Sequence, residues 1–281
     1  MVQFHCRPIA AMSARGYAEA TGIAAFAVTV SFPSPLRRYV RGTSAGKSGV
    51  FIQEMAHLII TIDGPAGSGK SATAELLAQR LNVPHLDTGA MYRAVALKAL
   101  QNGISEANLD QNRIAQLAEH IDLDFDWSTH PARILLDKCD VSNDIRKPEV
   151  TAIVHLPADN KIVRAELVRQ QRLIAAHAGS LVTEGRDQGT LVFPDADYKF
   201  YLDADIKERT RRRLAELADK GIAADPDALL ADMQARDQRD KSRGVGALLL
   251  AGDAIVLDTT ALTLPQVVDA MVKIIGSRKN G

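Results

Sequence analysis

The stretch Gly64-Pro-Ala-Gly-Ser-Gly69-Lys70-Ser71 sets two glycines around a four-residue gap and follows them at once with lysine and serine. Its flanks complete the unit. Leu58–Asp63 is a short apolar run rich in β-branched residues, as a strand buried on both faces should be. From Lys70 onward, Ala74, Leu77, Ala78 and Leu81 recur at helical spacing. In a strand–glycine loop–helix unit, successive backbone N–H groups of the loop point at one anion, and the helix adds its positive dipole end. Gly64, Pro65, Ala66, Gly67, Ser68, Gly69, Lys70, Ser71 and Ala72 are therefore read as a cradle for the phosphates of ATP. Lys70 reaches the β- and γ-phosphates, and the Ser71 hydroxyl ligates Mg²⁺. A look-alike, Gly42-Thr-Ser-Ala-Gly46-Lys47-Ser48, is one residue short between its glycines and has neither an apolar strand before it nor an amphipathic helix after it.

Downstream, strand-like and helix-like runs alternate. Core strands are expected at 58–63, 84–87, 180–184, 198–203 and 254–258. Helices are expected at 70–81, 88–102, 110–120, 149–177, 206–220, 226–237 and 264–276. This alternation predicts an α/β fold, a central parallel five-stranded sheet covered on both faces. Residues 121–144 break the rhythm, because Ile121–Phe125 and Arg133–Leu136 alternate around Ser-Thr-His-Pro, and a small antiparallel hairpin is expected there.

Basic and acidic side chains are equal in number, 34 of each, so no global field recruits a polyanion and a nucleic-acid partner is not expected. Two cysteines, Cys6 and Cys139, make no disulfide framework and lack metal-ligand spacing, which suits a reducing, cytoplasmic setting. Residues 1–54 have no clean period. Their longest apolar run, Gly22 to Phe32, has 11 residues, short of the roughly 20 needed to span a bilayer. A signal-peptide reading is open, since an apolar run follows Arg15. The extension is instead expected to be a disordered tail or an untranslated stretch ahead of Met55, with 55–281 as the working domain and no membrane partner.

Arginines gather in short motifs past the expected strand ends. Asp87-Thr-Gly-Ala-Met-Tyr92-Arg93 follows the second strand and Glu184-Gly-Arg186-Asp187-Gln-Gly-Thr190 the third. Arg209, Arg211, Arg212 and Arg213 share one helix, and Arg236-Asp237-Gln-Arg239-Asp240-Lys-Ser-Arg243 closes the series. Ligands of parallel α/β sheets sit beyond the carboxyl ends of strands, and arginine suits bidentate phosphate binding. The bland readings are a charged helix face for 209–213 and a solvated run for 236–243. Asp63, ending the first strand, has three readings: it orients the loop, it orients a metal-bound water, or it merely satisfies backbone. No guanine-reading Asn-Lys-x-Asp occurs, as Asn160-Lys161 is followed by Ile162 and Val163, which argues against a small GTPase.

With these motifs in view, residues 57–276 resemble the bacterial cytidylate kinases. The resemblance rests on I-T-I-D-G-P-A-G-S-G-K, L-D-T-G-A-M-Y-R, D-V-S-N-D-I-R, E-G-R-D-Q-G-T-L-V-F-P-D-A and the R-D-x-R-D-x-x-R run. It implies a monomeric, ATP- and Mg²⁺-dependent enzyme that makes CDP and dCDP on a three-layer P-loop fold. An acceptor-binding insert (roughly 119–160) and a helical lid (roughly 206–225) would complete it. It places Thr88, Arg93 and Arg186 at the acceptor phosphate, Arg164 and Asp187 at the cytosine ring, and Arg236, Asp240 and Arg243 at the sugar and acceptor nucleotide. Arg209, Arg212 and Arg213 match the lid arginines. Lys70, Arg93, Arg186 and Arg212 are the residues expected to act on the transferred group. His155 departs from the pattern, standing where a serine hydroxyl is expected in the base-reading stretch.

Cytosine offers an amino donor at N4 and acceptors at N3 and O2. A carboxylate such as Asp187 can accept from N4 while Arg164 donates to N3 and O2; uracil reverses that edge. A kinase for UMP/CMP or a shikimate-like acceptor, or a non-catalytic nucleotide-binding module, are the alternatives. The Asp/Arg pair and the long insert weigh against the first, and the complete lysine, serine and arginine set against the second.

Overall fold

The computed structural model describes residues 57–219 and 221–278, together with the backbone of two short strands, β1 (Tyr39–Arg41) and β2 (Val50–Ile52), which pair antiparallel. The remainder of the extension, including the 42–48 look-alike, lies outside the described residues. Two compact units divide the chain. Among the described residues, one unit is Ala90–Val163, and the other combines those up to Gly89 with those from Arg164 onward.

The second unit is built on a five-stranded parallel sheet. Its strands are β3 (Leu58–Asp63), β4 (His85–Asp87), β8 (Ser180–Gly185), β9 (Tyr198–Asp203) and β10 (Ile255–Asp258), in the order β10-β9-β3-β8-β4. All five match the strands expected from the sequence to within a residue or two. Side chains alternate across β3. Ile60 and Ile62 join Val182, Phe200 and Leu202 under α1 (Lys70–Leu81) and α9 (Leu264–Arg278), in a core completed by Leu77, Val268 and Met271. Thr61, Asp63 and Thr183 belong to the opposite face. There Thr183 reaches Gln188, which in turn reaches Gln171 of α6 (Lys161–Ala178). Helices thus cover both faces of the sheet, and the loops after β3 and β8 leave from its carboxyl edge.

The unit Ala90–Val163 holds most of α2 (Thr88–Gln101), α3 (Gln111–Glu119) and a three-stranded antiparallel sheet, β5 (Leu123–Asp126), β6 (Arg133–Leu136) and β7 (Cys139–Asp140). Phe125 and Trp127 stack with ring centroids 5.6 Å apart, anchoring that sheet. The expected hairpin is thus present and gains a third strand.

The single helix expected over 149–177 is three: α4 (Pro148–Ile153), α5 (His155–Asp159) and α6. Pro157 has no N–H to offer the preceding turn. Asn160 then turns extended (φ −83°, ψ 118°), and its Oδ1 accepts from the N–H groups of Ile162 and Val163 at 3.0 and 3.2 Å, starting α6 afresh. Conversely, α8 (Pro226–Ser242) runs past the expected end at 237. It follows α7 (Ile206–Asp219) after a short connection. Among the described residues, no helix is long and apolar enough to cross a membrane.

Candidate active site

The loop after β3 is shaped by its glycines. Gly64, Gly67 and Gly69 have φ of 147°, 76° and 89°, and a Cβ on Gly64 would lie 2.0 Å from the Leu202 carbonyl oxygen. Lys70 opens α1 and is 5% exposed. Its Nζ donates to the Pro65 carbonyl at 2.6 Å and lies 3.5 Å from Ser68 Oγ, so the ammonium is folded into the mouth of the loop. Burial pushes its pKa down to about 7, helped by the charges of Arg186 and Arg236 and opposed by Glu184 and Asp63. A buried cation flanked by two others is an environment that welcomes polyanionic phosphate.

Ser71 donates to Glu184 Oε1 at 2.6 Å. Glu184, buried at the end of β8 beside β3, was not among the site residues expected from the sequence. An acidic residue closing the strand next to the loop strand, with a loop hydroxyl ahead of it, is the signal that could have marked it. Thr88, also buried, donates to the Glu184 carbonyl at 2.7 Å.

The same strand end carries the next pair. Arg164, on α6, forms a buried ion pair with Asp187 through Nη2 and Oδ2. Burial pushes the Asp187 carboxyl upward, while Arg164 and Arg243 pull it back. Arg186 donates from Nε to Asp240 Oδ2 at 2.7 Å, and Arg243 from Nη2 to Asp240 Oδ1 at 2.8 Å. Asp240 therefore bridges two arginines, and their charges hold its pKa below the usual carboxylate range against the opposing effect of burial. Arg236, a turn earlier on α8, adds positive charge to both Lys70 and Asp240. The loop, Thr88, Arg164, Arg186, Asp187, Arg236, Asp240 and Arg243 thus all lie in one unit, with Arg164–Asp187 and Arg186–Asp240–Arg243 in direct contact.

The lid arginines divide. Arg209 is 5% exposed and is fully engaged within the fold. Its Nε donates to Ala204 O and Nη1 to Ala66 O, both at 2.9 Å, and Nη2 lies 2.8 Å from Asp237. It braces the phosphate loop against α8, a job not foreseen from the sequence. Arg212 is half-buried, paired with Glu208 and donating to Thr259 Oγ1, Thr259 O and Thr260 O. Arg213 is half-buried and pairs with Glu216 at 2.8 Å. Arg93 belongs to the other unit, where it donates to Ile145 O and Thr151 Oγ1 at 3.2 and 2.8 Å. His155, in that unit too, starts α5 with Nδ1 3.0 Å from Ala152 O.

A phosphate-binding loop with its lysine and serine, set beside a buried, arginine-rich constellation at the carboxyl rim of a parallel sheet, defines a P-loop kinase. The family model described as cytidylate kinase matches residues 60–277. The chain belongs to the cytidylate kinase family. It is 42% identical over 220 residues to the cytidylate kinase of Vibrio cholerae, covering 78% of this chain and 96% of that one. To that of Azotobacter vinelandii it is 43% identical over 223 residues (79% and 96%), and to that of Clostridioides difficile 42% over 218 residues (78% and 98%).

Proposed function

We propose that this chain transfers the γ-phosphate of ATP to CMP or dCMP, giving ADP and CDP or dCDP. The observation that carries the reading is the buried Arg164–Asp187 pair one residue along from Arg186, beside the phosphate loop. A base-reading donor–acceptor pair and a phosphate-binding arginine are what a cytidylate needs at its two ends. Family membership supports the same acceptor.

The acceptor phosphate is largely dianionic near pH 7, because phosphate monoesters have a second pKa of about 6, so no general base is required. The barrier lies in bringing two polyanions into line. Lys70, with Arg186 and Arg236 beside it, supplies fixed positive charge that is already desolvated and needs no reorganisation. The phosphates of ATP would in turn favour the charged form of Lys70. Arg93 keeps its role at the acceptor phosphate on the family resemblance alone. Arg212 would have to leave Thr259 and Thr260 to meet a phosphate. Excluding water by lid closure protects ATP from hydrolysis.

Mg²⁺ suits the oxygen donors Ser71 and Glu184, which lie 2.6 Å apart and are of the hard type it prefers. When bound with ATP it neutralises charge on the β- and γ-phosphates. Arg164 and Asp187 orient the base, and Thr88 and Asp240 fix neighbouring backbone and arginines. A cytoplasmic setting, ATP and CMP or dCMP as the partners, and a monomer complete the proposal.

A coupled ADP-release assay with CMP, dCMP, UMP and AMP tests it. Turnover with the two cytidylates well above that with UMP and AMP is expected. Preference for UMP or AMP would replace the acceptor, and no transfer to any of the four would remove the activity.

A further inference from the structure

The end of β3 holds a buried carboxylate that phosphoryl transfer does not use. Asp63 is 5% exposed, and both its oxygens are occupied by backbone. Oδ1 accepts from Gln188 N–H at 2.9 Å and Oδ2 from Gly189 N–H at 2.7 Å. These amides open a single π-helical turn, Gln188–Val192, in which Val192 donates to Asp187 O at 3.1 Å and Phe193 to Gln188 O at 2.7 Å. The residue that leads into the turn is Asp187.

Gln188 is tied from two further directions. Its Oε1 accepts from Thr183 Oγ1 at 2.9 Å, and its Nε2 donates to Gln171 Oε1 at 3.2 Å. Gln171 lies two helical turns beyond Arg164, so one face of α6 meets both Asp187 and Gln188. There is no slack at the next residue either, since a Cβ on Gly189 would sit 3.0 Å from Thr61 Oγ1 and 3.2 Å from Lys199 Cδ. Residues 187–189 are clamped between the end of β3 and one face of α6.

The two N–H groups here are met by two separate oxygens of one side chain, an arrangement a carboxylate supplies and a carboxamide does not. That ion is held at a cost, because desolvation raises the Asp63 pKa to about 6. The Gly189 and Gln188 amides and Lys70 oppose the rise, Asp187 adds to it, and the charge of Asp63 is also felt by Tyr201 on β9.

Resting on the base-reading role given above to Asp187 and Arg164, we propose that Asp63 is a specificity-positioning residue. Its paired hydrogen bonds to Gln188 and Gly189 fix the rotation of the turn and so the place of Asp187 against the acceptor base. Asp63 itself touches no substrate. Removing one of its two acceptors frees the turn, and the first property lost is discrimination between cytosine and uracil.

The test measures kcat/KM for CMP and UMP and KM for ATP in the wild type, Asp63→Asn and Asp187→Asn. It adds the backbone amide resonances of Gln188 and Gly189 in the wild type between pH 7 and pH 5. In Asp63→Asn, KM for CMP is expected to rise about five- to tenfold, as the net loss of one ordinary hydrogen bond would give. The CMP/UMP ratio should narrow toward that of Asp187→Asn, while KM for ATP changes by less than about twofold, the donor loop keeping its own glycine-set shape. The two wild-type amides should shift together as Asp63 takes up its proton. An unchanged CMP/UMP ratio in Asp63→Asn, where Asp187→Asn narrows it, overturns the inference alone. A parallel rise in KM for ATP also overturns it, since Asp63 would then act on the loop. An unchanged ratio in Asp187→Asn removes the base-reading role and this inference together. Should Asp63→Asn fail to fold, wild-type amides that stay fixed through that pH range decide against the proposal, and amides that move decide for it.

Discussion

Lys70 is costly to the resting fold, and the proposed reaction is what would require it. Its ammonium is buried among Arg186 and Arg236, and its pKa is driven down to about 7. Removing it relieves a desolvated charge in the free protein but takes away a charge needed as the γ-phosphate departs. Lys70→Ala is therefore expected to lower kcat by about a hundredfold or more, with Tm unchanged or higher. Near-wild-type turnover, measured by ADP release alongside a thermal melt, would move the chemistry to another loop. Most of the candidate site's residues were nominated from the sequence, because loop, lysine and serine follow from spacing and the acceptor arginines from family motifs. The contacts of Glu184 and Arg209 were not legible in it. Glu184 meets Ser71 only once β8 is known to lie beside β3, and Arg209 meets Ala66 O and Asp237 across more than 140 and nearly 30 residues of chain. Spacing along one helix makes Arg209, Arg212 and Arg213 look alike, whereas burial separates them.

The phosphate loop and the helix breaks depend on local backbone chemistry that can be perturbed one residue at a time. Asn160 carries the start of α6, accepting from Ile162 and Val163 and donating to Gln111 O at 2.9 Å. Asn160→Ala is expected to cost about 1 kcal/mol or somewhat more in a denaturant titration, and Asn160→Asp to recover the capping part. Equal losses in both variants would mean that the bond to Gln111, not the cap, holds this junction. The five strands were readable because a buried parallel strand writes its apolar run into consecutive residues. The break at 154–160 was not, because apolar periodicity continues through Val154, Leu156 and Val163 while Pro157 and Asn160 interrupt only the hydrogen bonding. Periodicity reports which face is buried, and it is silent on where the ladder of N–H groups stops. The third strand, Cys139–Asp140, is two residues long and carries no pattern of its own.

Charges retained for function should show in the stability of the whole molecule. Asp63 and Asp124 have pKa values raised to about 6, chiefly by burial, and His85 is raised by its bond to Glu75 and nearby carboxylates against the opposing effect of burial. A group whose pKa is higher folded than unfolded contributes stability at low pH that is lost as pH rises through the folded value. Lys70 works in the opposite sense, its depressed pKa making stability rise above about pH 7. The ligand-free protein is thus expected to be least stable near pH 6–7, with Tm rising toward pH 5 and toward pH 9. ATP should raise Tm most inside that trough, by pairing Lys70. A Tm maximum at neutrality without nucleotide would contradict this. The molecule as a whole nevertheless stands or falls as an enzyme on its choice of acceptor. A carboxylate facing the uracil carbonyl leaves a buried acceptor unpaired, at about 1–3 kcal/mol. The decisive measurement is kcat/KM of the wild-type chain for CMP against UMP under identical ATP and Mg²⁺. The expected result is a preference for CMP of roughly ten- to hundredfold, and equal values, or a preference for UMP, would contradict the account.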